Sequence, residues 1–243
     1  PRSTPLYSSA ASDVYKRQLK EFHKRGIATL GLATNVDEAL AIDAAGVDIV
    51  VASGAEAGGH RASFLKDPDE SPGASALVPQ VVDKVKAPVV AAGGIGDGRG
   101  VVAALAFGAE GVQVGTAFLA CDESAASAAH KAALREPGAR STALTKVFSG
   151  RYARGIKNRF MLELKPFEAE LPAYPIQNWL TRSIRKAAGE QAQAELLSLW
   201  SGQNAPLIRH HEATRVLQFL VEDTERVLAR VSKLSGVGQT NKG

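Results

Sequence analysis

The sequence predicts an α/β fold built on a parallel sheet, and three observations carry that expectation. From Leu19 to about Cys121, short apolar runs alternate with amphipathic stretches of helical period. The phrase Ala-Ala-Gly-Val-Asp-Ile-Val-Val at 44–51 is echoed by Phe-Gly-Ala-Glu-Gly-Val-Gln-Val at 107–114, so one helix-end, glycine, acidic-residue, strand unit recurs. Each later apolar run ends in glycine: Gly58-Gly59, Gly93-Gly94, then Gly115. Strand–helix–strand order requires right-handed crossovers between parallel strands. Four such units are too few to close an eight-fold barrel, which needs about 250 residues. The residues leave open an open four-stranded α/β domain or half of a barrel.

The elements follow in order. Residues 1–18 begin at Pro1, are small, polar and aperiodic, and are expected to be a leader, linker or joining segment outside the fold. Ile27 to Leu32 reads as a strand, and Thr34 or Asn35 caps a helix over Asp37 to Ala45 that Gly46 ends. Val47 to Ala52 is the second strand, and its unbroken apolar run from Ile49 to Ala52 is the mark of burial on both faces. After a loop through Pro68 and Pro72, a helix is expected around Ala76 to Lys86, then a strand at 88–92, a glycine loop at 93–98 and a helix over Arg99 to Phe107. Gly111 to Gly115 is the fourth strand. Beyond Cys121 the pattern turns helical: Ser124 to Arg135, Gln177 to Trp200 with a break near Gly189, and Glu212 to Ser232, with a brief strand over Thr142 to Phe148. The organisation is thus 1–18 leader, 19–123 βα units, 124–233 helical extension and 234–243 disordered tail.

Composition narrows the function. The chain has 243 residues, 45% hydrophobic and 22% charged, enough to bury a large core. A net charge of +4 is spread out, and the 6% of aromatics do not interleave with the basic residues, which argues against nucleic-acid binding. One cysteine, Cys121, excludes an internal disulfide or zinc cluster and fits a cytoplasmic chain. No apolar run approaches the ~18 residues of a membrane span. No metal site is expected. His210-His211 is read as a solvated helix start, because adjacent helical side chains diverge, and Asp67, Asp69 and Glu70 lack the spacing of a calcium loop. Trp179 and Trp200 are read as core anchors of the terminal helices.

Ligands of α/β folds sit at the carboxyl ends of the strands, so the three glycine-rich ends describe one site. Bare amides of Gly93, Gly94, Gly115 and Thr116 suit a phosphate, and the helix starting near Asp97 adds its positive end. Gly58 and Gly59 let backbone approach a flat or anionic ligand, and His60 is a natural general base beside it. Glu56 reads as a structural hydrogen-bonding residue.

These motifs resemble a known family. Glu56-Ala57-Gly58-Gly59-His60, Ala91 to Gly98 and Gln113 to Leu119 look like the nitronate monooxygenases, formerly 2-nitropropane dioxygenases, and flavin-dependent enoyl-acyl-carrier-protein reductases share all three. Phe148 to Ile156, Tyr174 to Gln177 and Leu199 to Gln203 resemble the nitronate oxidisers more closely. The resemblance implies a TIM (β/α)8-type barrel, of which this chain carries the last four βα units. It implies FMN with its phosphate on Gly94, Gly115 and Thr116, lined by Gln113 and Val114, with Gly58 and Gly59 near the flavin ring. His60 becomes the catalytic base acting on a nitroalkane or nitronate, with O2 as oxidant and a carbonyl compound and nitrite as products. Ser201 and Arg151 are weaker substrate candidates. The alternatives are an enoyl-reductase-like enzyme or an inactive fragment. Open sheet edges in a half barrel also admit an oligomer.

Overall fold

The computed structural model describes residues 9–65 and 71–235, with side-chain surroundings from Arg17 to Leu234. The expected leader residues 1–8, the acidic loop at 67–70 and most of the expected tail lie outside the described residues.

A parallel sheet forms the first layer. Its strands β1 (Leu30–Ala33), β2 (Ile49–Ser53), β4 (Val89–Ala92) and β5 (Gly111–Gln113) stand in the order β1-β2-β4-β5. In register, Val51 lies between Leu32 and Val90, and Ala91 beside Val112. Three helices link these strands and cover one face: α2 (Val36–Ala45), α3 (Ala74–Val82) and α4 (Gly98–Ala106). The main core lies between, with Val50, Ala52, Leu77, Val78 and Val81 wholly buried. Local chemistry sets the helix starts: the Asn35 side chain accepts the Glu38 amide at 2.9 Å, and Asp97 accepts the Arg99 amide at 3.0 Å. A helix α1 (Ser9–Lys24) precedes the sheet and occupies residues 9–18, which the sequence pattern had set outside the fold.

The second half departs from the helical extension expected for 124–233. A three-stranded antiparallel sheet, in the order β3-β7-β6, joins β3 (Gly59–His60), β6 (Thr142–Thr145) and β7 (Ala153–Ile156). It ties the loop after β2 to the later chain, with Gly59 opposite Arg154 and His60 opposite Ala153. Short helices surround it: α5 (Thr116–Leu119), α6 (Ala128–Arg135), α7 (Arg159–Leu164), α8 (Ile176–Leu180) and α9 (Arg182–Glu190). The segment expected to form one interrupted helix from Gln177 to Trp200 is therefore α8, α9, a 3₁₀ turn at Ala194–Leu196 and extended chain, with Trp200 bridged to Gly155. Among the described residues Trp179 is 65% exposed and lies outside the core, whereas Trp200 packs edge-on to Phe148 at 5.5 Å.

The last helix, α10 (Ala213–Ser235), lies against α4. The Asp223 carboxylate accepts the Gly98 amide at 2.8 Å, and a β-carbon at Gly98 would run into the α10 backbone at Asp223. No helix among the described residues is long and apolar enough to cross a membrane, and no group of three or more His, Cys, Asp or Glu there suits a metal.

Candidate active site

The site is built from three strand ends and one crossing segment. Leu199 to Gln203 runs past β7 and the carboxyl ends of β5 and β2 and is fastened to all three. Ser201 N–H donates to Arg154 O (3.2 Å), Gly202 N–H to Thr116 Oγ1 (2.9 Å) and Gln203 N–H to Glu56 O (3.0 Å). Just beyond, the Asn204 amide group donates to Ile95 O at 2.5 Å. His130 holds the carbonyl of Trp200 at 2.9 Å. Gly58 is the seat of this crossing. A β-carbon there would lie 2.5 Å from the Ser201 carbonyl carbon and closer still to the Gly202 nitrogen. Its missing side chain admits the backbone of the crossing segment.

Gly59 differs. It has φ +76°, and nothing approaches the position of a β-carbon. The chain turns there and delivers His60 onto β3. His60 Nε2 lies 2.8 Å from Ser149 Oγ, and Trp200 lies against the ring at 5.3 Å between centroids. Ser149 is buried, and its hydroxyl donates to Arg151 O at 3.1 Å. In the Nε2–H tautomer Oγ accepts from the ring, and Nδ1 is left as the basic atom. Partial burial, followed by the charges of Arg151 and Arg185, pushes the imidazole below its ordinary pKa. The shift favours the neutral form of the ring.

The other two strand ends offer amides. Gly94 and Gly115 are exposed, Gly94 has φ +71°, and a β-carbon at Gly115 would meet nothing. Among the described residues, the amides of Gly94, Gly115 and Thr116 donate to no protein acceptor. Amides left free beside one another suit an anionic group such as phosphate. Helix α4 adds less than the sequence suggested, because its first two amides, Gly98 and Arg99, already donate to Asp223 and Asp97. Gln113 is exposed at the end of the edge strand β5, while Val114 packs into the core and offers the site only its backbone.

The remaining predicted residues have clear places. Glu56 has the structural role expected of it, with both carboxylate oxygens accepting the Ala74 amide at 3.0 Å at the start of α3. Ser201 is buried, with its hydroxyl donated to Gly202 O at 2.9 Å. Arg151 is exposed and reaches Ser63 O at 3.4 Å. Cys121 is a packing residue, buried against Ala117 O, and burial raises its thiol pKa.

The profile of the nitronate monooxygenase family matches residues 3–223. The chain belongs to this family. Probable nitronate monooxygenases of Staphylococcus aureus are similar to it: that of strain MRSA252 is 48% identical over 212 residues, and that of strain Newman 49% over 201. These alignments cover 86% and 82% of this chain, but only 60% and 57% of the relatives. The chain thus spans about three fifths of their length. Among solved structures, a nitroalkane oxidase from Streptomyces ansochromogenes superimposes with a TM-score of 0.84 at 39% identity, covering 89% of this chain and 62% of that one. FabK from Thermotoga maritima superimposes at 0.76 and 28%, covering 90% and 68%. The four-stranded parallel sheet is accordingly an arc of the TIM-barrel type of α/β fold shared by this family.

Two features near the site carry no signal in the sequence. Arg61 and Arg154 are buried, whereas a lone basic residue in a short polar stretch ordinarily reads as surface. Ser149 lies 89 positions from His60, and only the pairing of β3 with β7 brings them together.

Proposed function

We propose that this chain serves FMN-dependent oxidation of alkyl nitronates and nitroalkanes by O2, yielding carbonyl compounds and nitrite, with His60 as general base. The observation that carries the reading is His60 at the end of the glycine run, with Nε2 2.8 Å from Ser149 Oγ and its strand β3 paired with β7. FMN, when bound, supplies the redox chemistry. The residues fit such a group: the free amides of Gly94, Gly115 and Thr116 would hold its phosphate, with Gly93 and Gln113 beside them. Gly59 and the backbone of Val114 would border the approach. Membership of the family and the likeness to a nitroalkane oxidase support this reaction over the enoyl-reductase alternative.

The protein's own part is proton chemistry. His60 Nδ1 would take the proton α to the nitro group, and Ser149 would keep the ring from turning as its charge changes. Arg151, exposed beside the ring, would attract the anion so formed. A preformed nitronate does not need that proton removed. His60→Asn is therefore expected to slow turnover of neutral nitroalkanes at least 100-fold, a typical general-base contribution, and to slow nitronates far less. Equal losses on both substrates would remove the base assignment.

A further inference from the structure

Helix α10 and the start of α4 enclose a cavity of about 310 Å³, and none of its walls comes from the strand-end glycines, His60 or the crossing segment. Four arginines reach it: Arg99 from α4, Arg209 from the chain before α10, and Arg226 and Arg230 from α10 itself. Two carboxylates line it, and both are engaged. Asp97 meets the Arg99 guanidinium with both oxygens, Nε lying 3.0 Å from Oδ2. Asp223 gives one oxygen to Arg226 at 3.0 Å and the other to the Gly98 amide at 2.8 Å.

Arg209 and Arg230 are left over. Both are exposed, and among the described residues neither forms an ion pair or donates to a protein acceptor. Arg209 Cζ lies instead over the Phe219 ring, 6.0 Å from its centroid, a contact that leaves the fork of N–H groups free. The carboxylates balance two of the four cations, so the cavity keeps a surplus of two positive charges. Such a concave surplus draws anions, and guanidinium forks match phosphate oxygens two at a time. A phosphate monoester carries roughly two negative charges near neutral pH, which the surplus balances. Phe219 and the buried Val227 add an apolar wall suited to the organic part of an ester.

We propose that this cavity binds the dianionic phosphate of a small phosphate monoester, held by Arg209 and Arg230 between the ion-paired Arg99 and Arg226. The inference goes beyond the reading under Proposed function and does not depend on it, because the flavin phosphate is assigned to the amides of Gly94, Gly115 and Thr116.

Phenyl phosphate and inorganic phosphate test this by isothermal titration calorimetry at constant ionic strength, with chloride as balance. The titrations use the 243-residue chain and its Gly115→Val variant, whose strand-end cradle is filled, so that binding there is not counted. Saturable binding of phenyl phosphate is expected in both. In the Gly115→Val background, R209Q/R230Q should weaken it at least tenfold, while R209K/R230K, which keeps the charges, should stay within about threefold. Phenyl phosphate is expected to bind more tightly than inorganic phosphate; inorganic phosphate binding as tightly or better would overturn the monoester. No saturable binding in the Gly115→Val chain, or R209Q/R230Q binding as tightly as its parent, would overturn the site. If the double variant fails to fold, R230Q alone decides, since Arg230 is exposed and makes no contact that the fold needs.

Discussion

Replacing Gly58 with alanine isolates the contact that holds the site together. The added methyl group would sit 2.5 Å from the Ser201 carbonyl carbon, where ordinary contact begins at 3.4 Å, so the crossing segment must withdraw by about 1 Å. Overpacking against backbone costs about 1–3 kcal/mol. Withdrawal also stretches the Gly202–Thr116 and Gln203–Glu56 hydrogen bonds, each contributing about 1 kcal/mol. A loss of roughly 3 kcal/mol lowers the melting temperature by roughly 6–12 °C in a chain of this size. Thermal unfolding followed by circular dichroism reads this directly, with two neighbours as controls. Gly59→Ala meets no atoms but forces a left-handed backbone, costing about 1–2 kcal/mol. Gly115→Ala meets nothing at a negative φ and stays within about 0.5 kcal/mol of the wild type. Gly58→Ala melting like the wild type, or Gly115→Ala melting lowest, would refute the assignment of Gly58 to packing and Gly115 to the open side of the site.

Ser149→Ala leaves His60 Nε2 without its acceptor, so nitroalkane turnover should fall about tenfold, one lost hydrogen bond, while nitronate turnover holds; steady-state kinetics on the two substrates checks this. Arg151→Gln removes a positive charge from His60 and should raise its pKa towards the ordinary imidazole value, visible in an NMR titration of the ring protons. Burial pushes the Glu38 carboxyl up, but the amides of Leu65, Phe64 and Thr34 more than offset it and hold the group below its ordinary pKa. Its contribution is therefore full above the usual carboxylate range and lost as pH falls through the folded value. Glu38→Gln should lower the melting temperature at neutral pH and narrow its difference from the wild type in acid.

Much of the first half was legible because its signals are periodic. The Ile49 to Ala52 run is apolar at every position, as a strand covered on both faces must be, and Asn35 and Gly46 bracket α2 by their own local chemistry. In the second half the strand from Thr142 and the helices α6 and α10 were legible, but the antiparallel sheet was not, for a physical reason. Strand β3 has two residues and no period, and β7 is Ala-Arg-Gly-Ile, whose arginine reads as solvent-facing although all four residues are buried. Only tertiary pairing makes them a sheet. Trp179 shows the converse, since a large aromatic on a helix reads as core while the described fold leaves it exposed. At the site, the structural role of Glu56 was legible from its place at the strand end. The distinct duties of Gly58 and Gly59 were not, because each depends on a segment more than 140 residues away or on a backbone angle.

The most direct test is a flavin spectrum. The purified chain, loaded with FMN and dialysed, is expected to keep a bound-flavin absorption band, and Gly115→Val, which fills the open side of the cradle, is expected to lose it without a change in melting temperature of the flavin-free protein. A wild-type chain that emerges folded and colourless, or a Gly115→Val variant that keeps its flavin, would contradict a phosphate seat at these strand ends.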